Sequence, residues 1–128
     1  MNATHREYFR TAYPGIFVRD EENHMFYWDV GDGWFHLLDE LCRDIVSYCA
    51  ERGIYQPTCA QLKEKFGTLR FYMDPSPDDH SQEDRDRFHE LIQRAEHASS
   101  VTCDVCGLSG KMLHDGWIRV RCEEHING

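Results

Sequence analysis

The chain lacks any run approaching the ~20 consecutive apolar residues that a membrane-spanning helix needs, which excludes a helical integral membrane protein. It is also poor in positive charge. Fourteen Lys and Arg face 23 Asp and Glu, a formal net charge of −9. A field of that sign repels phosphate backbones at long range and attracts basic partners. Residues 1–7 carry no apolar core of a secretory leader behind them, so a cytoplasmic protein is expected. Catalytic signatures are missing too: there is no Gly-x-Ser-x-Gly, phosphate-binding loop, His-Glu-x-x-His or zinc-deaminase pattern. The expectation is a protein that is not an enzyme.

What is present is enough for one folded domain. The chain has 128 residues, 41% of them hydrophobic and 12% aromatic, with no repeat and no low-complexity tract. The acidity is uneven. Residues 1–58 carry 5 basic and 10 acidic groups, residues 74–98 carry 3 and 8, and residues 99–128 carry 3 and 4. Residues 59–73 reverse the sign, with 3 basic groups and 1 acidic.

Thr4-His5-Arg6-Glu7 matches a capping box and predicts a short helix to about Tyr13, ended by Pro14-Gly15. Residues 16–18 and 25–28 are aromatic and β-branched runs flanking an acidic stretch, which predicts a hairpin. Gly31-Asp32-Gly33 breaks the chain, with Asp32 the expected N-cap of the next helix. From Trp34, the apolar positions Leu37, Leu38, Leu41, Cys42, Ile45, Val46 and Cys49 trace one helical face up to Gly53. Residues 59–73 predict two strands joined near Phe66-Gly67, with Leu69, Phe71 and Met73 facing inward. Glu64 spoils the inward phase of the first strand, so either it pairs with a cation or the turn begins earlier. Residues 74–79 predict a surface loop. Ser81-Gln82-Glu83-Asp84 caps a further helix with Phe88, Leu91, Ile92, Ala95 and Ala98 on one face.

Six cysteines without a leader argue against a disulfide framework. Cys42 and Cys49 stand roughly 10 Å apart along one helix, too far to bridge, and with Cys59 they read as small buried residues. Cys103-x2-Cys106, fifteen residues, then Cys122-x2-His125 is different. That spacing suits four ligands on a tetrahedral ion, and it predicts a structural zinc site on Cys103, Cys106, Cys122 and His125. With the shell closed there is no open position for catalysis. Three thiolates and one Zn2+ would add −1 to the net charge. His114 is an alternative ligand by position. The module is too small to make much core, so it is expected to pack on the second long helix through Leu113, Trp117 and Ile118.

The one basic surface is the central hairpin, where strand phase groups Lys63 with Lys65 and Arg70 with Tyr72. It reads as a binding face for phosphate, a nucleotide or an acidic loop; the simpler reading, which the sequence favours, is a solvated sheet face or one ion-paired with the acidic helices. Together these readings give an α+β fold: a small antiparallel sheet packed with two main helices over residues 1–100, and a zinc-knuckle or ribbon-like module over residues 101–128, one cooperative unit.

Gly31-Asp32-Gly33-Trp34, the segment from Gln61 to Tyr72, Cys103-Asp104-Val105-Cys106-Gly107, Gly116-Trp117 and Cys122-x-x-His125 resemble a group of small, uncharacterised bacterial and phage proteins. Those share a KEKFG-x-LRFY segment followed by a C-terminal CxxC…CxxH zinc-knuckle-like motif. The resemblance covers roughly residues 30–125 and implies the metal module but no activity. It also implies a phage or mobile-element setting, and in it an inhibitor or accessory factor aimed at a basic host protein. The alternative is a nucleic-acid or nucleotide reader using Lys63, Lys65, Arg70 and Tyr72 with Lys111, Arg119 and Arg121 of the module.

Overall fold

The longest apolar stripe in the chain becomes helix α3, Phe35–Arg52, in a computed structural model that describes residues 1–22, 26–74 and 80–127. Leu38, Leu41, Cys42, Ile45 and Cys49 point into the core, and Gly53 ends the helix in the left-handed conformation that favours glycine (φ 66°). Helix α4, Gln82–Ser99, starts at the expected cap: Asp84 N–H donates to Ser81 Oγ (3.1 Å) and Ser81 N–H to Asp84 Oδ2 (3.0 Å). Phe88, Leu91, Ile92 and Ala95 bury its apolar face. Helix α4 packs on α3 and on the central sheet.

Strands β2, Cys59–Lys65, and β3, Thr68–Met73, form the expected hairpin. Its two-residue turn puts Phe66 (φ 54°) and Gly67 (φ 86°) both in the left-handed region, the geometry that follows the natural strand twist. Leu62, Leu69 and Phe71 face the helices. An irregularity between Cys59 and Gln61 shifts the phase, so Cys59 and Leu62 both reach the core although they are three residues apart. Glu64 takes neither expected role: its carboxylate accepts the Gly67 N–H (3.2 Å) and closes the turn from within.

The predicted N-terminal hairpin is not formed. Ile16 and Phe17 are buried in a turn, and Val18–Glu22 form helix α2. Burial of these two side chains overrides their strand preference. Asp20 then holds the turn from the side, accepting from Trp28 Nε1 (3.1 Å) and pairing with Arg10. Met25 lies outside the described residues, as do residues 75–79 of the predicted loop. The partner of strand β1, Trp28–Asp29, is β2, in parallel, with Trp28 opposite Leu62 and Asp29 opposite Lys63. The sheet is therefore mixed, in the order β1–β2–β3, within an α+β fold.

Helix α1, Ala3–Ala12, is capped two residues before the predicted cap, because Asn2 rather than Thr4 accepts the His5 N–H (2.8 Å). Phe9 on α1 meets Phe17, Trp28 and Phe35 in an aromatic cluster. Its C-terminal half is clamped to α3 by Asp39, a buried carboxylate that accepts from Tyr13 (2.5 Å), Tyr8 (2.7 Å) and Arg43 (2.8 Å). Cys42, Cys49 and Cys59 are buried thiols. Among the described residues no helix is long and apolar enough to cross a membrane.

Asp84 joins the end of α3 to the start of α4. It accepts from the Ser81 backbone, then from the Tyr48 hydroxyl (2.8 Å) and Arg52 (3.0 Å), and these bonds outweigh burial to bring its carboxyl down to about 2. A carboxyl lower in the folded than in the unfolded chain stabilises fully above the unfolded value, and the gain is lost as pH falls through the folded one. The stability gap between wild type and Asp84→Asn, measured by denaturant titration, should therefore narrow from about pH 5 to about pH 2. A constant gap would refute this account. Ser81→Ala should cost about 1 kcal/mol at neutral pH.

Candidate metal centre

The Cys103 segment forms a tight knuckle. The Gly107 N–H returns to the Cys103 carbonyl (3.0 Å), and Gly107 itself takes the left-handed conformation (φ 84°). Strands β4, Lys111–Leu113, and β5, Arg119–Arg121, then form a small antiparallel ribbon. The Asp104 N–H donates to Val120 O (3.1 Å), which lays the knuckle against β5 and brings Cys122 beside it. A single 3-10 turn, Glu123–His125, returns the imidazole to the same point.

The four ligand atoms of Cys103, Cys106, Cys122 and His125 lie within 4.8 Å of one another, close enough to hold one metal ion. Cys106 and Cys122 sulfurs are 3.6 Å apart, and His125 Nδ1 is 3.7 Å from Cys103 Sγ and 3.2 Å from Cys122 Sγ. Burial opposes ionisation of Cys103, but backbone N–H groups of Cys122, Cys106 and Val105 overcome it and bring the thiol down to about 6. At Cys106 the Leu108 N–H favours the thiolate, yet burial and the neighbouring sulfurs push its value up. The Cys103 sulfur is thus prepared as an anion by the backbone, whereas that of Cys106 needs a cation beside it. His114 is exposed and stands outside the cluster.

A second layer holds the ligands in place. Arg121, nearly buried, donates to Asp104 Oδ1 (2.6 Å) and to the His125 carbonyl (3.3 Å). Arg119 donates to Asp115 (2.9 Å) and to Ile126 O (3.0 Å), and both guanidinium groups cover the Trp117 ring. These two arginines brace the module itself, so the expectation that they read nucleic acid is not favoured by their placement.

The module docks in a different place from the one expected. Trp117 stays exposed rather than packing on α4, and Ile118 and Met112 reach the β2–β3 turn at Gly67. The main contact is backbone on backbone. Gly33 N–H donates to Asp104 O (3.0 Å), and Trp34 Nε1, on a fully buried ring, donates to Thr102 O (3.0 Å). A Cβ on Gly33 would stand 2.1 Å from Cys103 O, and one on Gly31 would stand 2.0 Å from Asp104 O. This is what the Gly31-Asp32-Gly33 sequence is for; its two glycines admit the knuckle. Asp32 does not cap α3. Its carboxylate accepts the Asn2 N–H (2.7 Å) beside His5, fastening the start of α1. The glycine pair was visible in the sequence as a turn, but its docking role depends on a segment seventy residues away.

The four residues of the predicted binding face come together on the side of the sheet opposite Leu62, Leu69 and Phe71. Register places Lys63 opposite Arg70, Gln61 opposite Tyr72 and Lys65 opposite Thr68. The Lys63 ammonium lies over the Tyr72 ring, 5.8 Å from its centre, and Lys65 over Phe66. Arg70 reaches Glu96 of α4 at 3.9 Å, so the ion-pair reading holds for that one residue.

Gly33→Ala should lower both the melting temperature and the metal affinity, because the neighbouring atoms are backbone and cannot give way. Gly53→Ala, which meets nothing within 4 Å, should cost only about 1 kcal/mol and leave metal affinity unchanged. Equal effects of the two on metal affinity would show that docking and metal binding are independent.

Comparison of the chain with protein-family models, with curated proteins and with solved structures finds no match.

Proposed function

We propose that the protein is a zinc-stapled binding protein, with no catalytic role, whose C-terminal module meets a protein partner. Zinc is the ion that suits this donor set. A tetrahedral zinc with thiolate and imidazole ligands needs edges of ~3.8 Å between sulfurs and ~3.6 Å from sulfur to nitrogen, from the usual bond lengths. The separations of 3.6, 3.7 and 3.2 Å are close to those edges. Three sulfurs and one nitrogen complete the shell and leave no position for a reacting water.

One observation carries the partner reading. Of the ten large apolar side chains exposed among the described residues, five (Val101, Val105, Leu108, Trp117 and Ile126) belong to the module. Leu108 is 60% exposed and lines a cleft of about 680 Å³ with Leu113, Ile126, Glu123 and Glu124. Apolar surface kept in water beside unpaired carboxylates fits a partner segment with apolar anchors and basic neighbours. The net charge of −9 favours the same class of partner. The phage-like resemblance supports an inhibitor or accessory factor in this role. A second reading, nucleic-acid or nucleotide binding, is favoured by the grouping of Lys63, Lys65, Arg70 and Tyr72 around one open sheet face.

Purified protein should contain one equivalent of zinc. Cys103→Ser or Cys122→Ser should release it and unfold the module, whereas Cys42→Ala should leave the metal in place. Native stability after complete zinc removal would overturn the metal reading. In a pulldown from the source cells, the partner should be a stoichiometric protein that survives nuclease and is lost from Leu108→Glu. Capture that nuclease abolishes, and that Leu108→Glu leaves intact, would favour the second reading instead.

A further inference from the structure

The strongest cationic feature outside the metal centre is a groove between α1 and the open face of the sheet, about 730 Å³ in volume. Arg6 enters it from α1, Asp29 from β1, Gln61 and Lys63 from β2 and Tyr72 from β3, with Tyr27 at the side. Nothing in the chain's pattern joins Arg6 to the hairpin. The fold does so by laying α1 along β1, where the Met1 nitrogen donates to Trp28 O (3.2 Å) and Val30 O (2.6 Å).

One guanidinium here is incompletely satisfied. The Nε of Arg6 is shielded from solvent with no hydrogen-bond acceptor among the described residues. A shielded donor of that kind costs free energy until an acceptor reaches it, and an anion supplies the strongest one. Lys63 lines the groove with Arg6. Most other arginines of this acidic chain are matched to a carboxylate, as Arg10, Arg19, Arg52 and Arg121 are. The local field of the groove is thus positive although the chain is not.

The rest of the lining suits a planar ring. Tyr27 is 66% exposed and Tyr72 43%, and Gln61 offers a donor and an acceptor side by side. Asp29, the one carboxylate of the lining, repels a bare anion and accepts from hydroxyl or amino groups. The volume is in the range of small-molecule sites. We propose that this groove, lined by Arg6, Lys63, Gln61, Asp29, Tyr27 and Tyr72, is a binding site for a nucleotide: an anionic phosphate on the cations, with a planar base against the tyrosines. The proposal deepens the second functional reading and rests on the sheet face alone, without the metal centre.

The test is calorimetric titration of the zinc-loaded full chain with AMP, UMP and inorganic phosphate, and separately with a single-stranded RNA oligomer. A mononucleotide should bind, more weakly as salt rises, and better than phosphate alone. Arg6→Ala should weaken it about tenfold or more, the loss expected for one charge-assisted contact. Lys63→Gln, on the open face where folding is not at stake, should do likewise, and Arg94→Ala, an exposed position on α4 outside the groove, should change nothing. Circular dichroism of each variant separates lost binding from lost folding. If the oligomer binds while mononucleotides do not, and Arg6→Ala and Lys63→Gln leave its affinity unchanged, the groove is not the site but the nucleic-acid reading stands. If neither ligand binds, both are overturned. Phosphate binding as well as a mononucleotide would also overturn the proposal, since the ring would then contribute nothing.

Discussion

The contact between Gly33 and the backbone of Cys103 and Asp104 is the constraint on which the two ends of this molecule depend. It has no side chain to adjust, only a 3.0 Å hydrogen bond and a separation that leaves no room for a Cβ. On one side of it lie the buried Trp34 and the start of α3; on the other lies the knuckle that carries two of the four candidate metal ligands. The knuckle is therefore positioned from outside by the body and from inside by the Asp104–Arg121 pair. A metal ion bound there would draw its free energy partly from a scaffold assembled in advance.

Electrostatics are arranged on two levels. Inside the fold, carboxylates act as joints between elements: Asp39 ties α1 to α3, Asp84 ties α3 to α4, and Asp32 fastens the start of α1. Asp39 and Asp84 each combine hydroxyl or N–H donors with one arginine, Arg43 or Arg52, so the buried carboxylate has both hydrogen bonds and a counter-charge. Outside, excess negative charge covers most of the chain, and the hairpin face is the exception. An acidic protein can in this way carry a local cationic site without becoming a general nucleic-acid binder.

Legibility in the sequence followed the range of the interactions. Helices α3 and α4, their caps at Gly53 and Ser81, and the β2–β3 turn rest on contacts within a few residues, and periodicity alone located them. So did the grouping of the four metal ligands, whose spacing encodes their geometry. The stretch from Ile16 to Trp28 was misread because its decisive contacts are distant: Ile16 O takes the Cys59 N–H (2.8 Å), and Trp28 pairs with Leu62 instead of a sequence neighbour. Aromatic and β-branched content there reports burial, and burial in a turn looks the same as burial in a strand. Arg6 escaped notice for the same reason, since only the parallel β1–β2 pairing brings α1 beside the hairpin.

The two-residue turn at Phe66-Gly67 has a consequence for how this chain can vary. With Lys65 paired to Thr68 there is no slack between the strands, and strand side chains alternate with a period of two. Adding or removing one residue within the paired part of either strand, between Leu62 and Lys65 or between Thr68 and Phe71, would exchange the faces on one side of the change, turning Lys63 or Arg70 inward. A change of length in those segments therefore needs a bulge to absorb it, whereas one at Phe66-Gly67 only lengthens the loop.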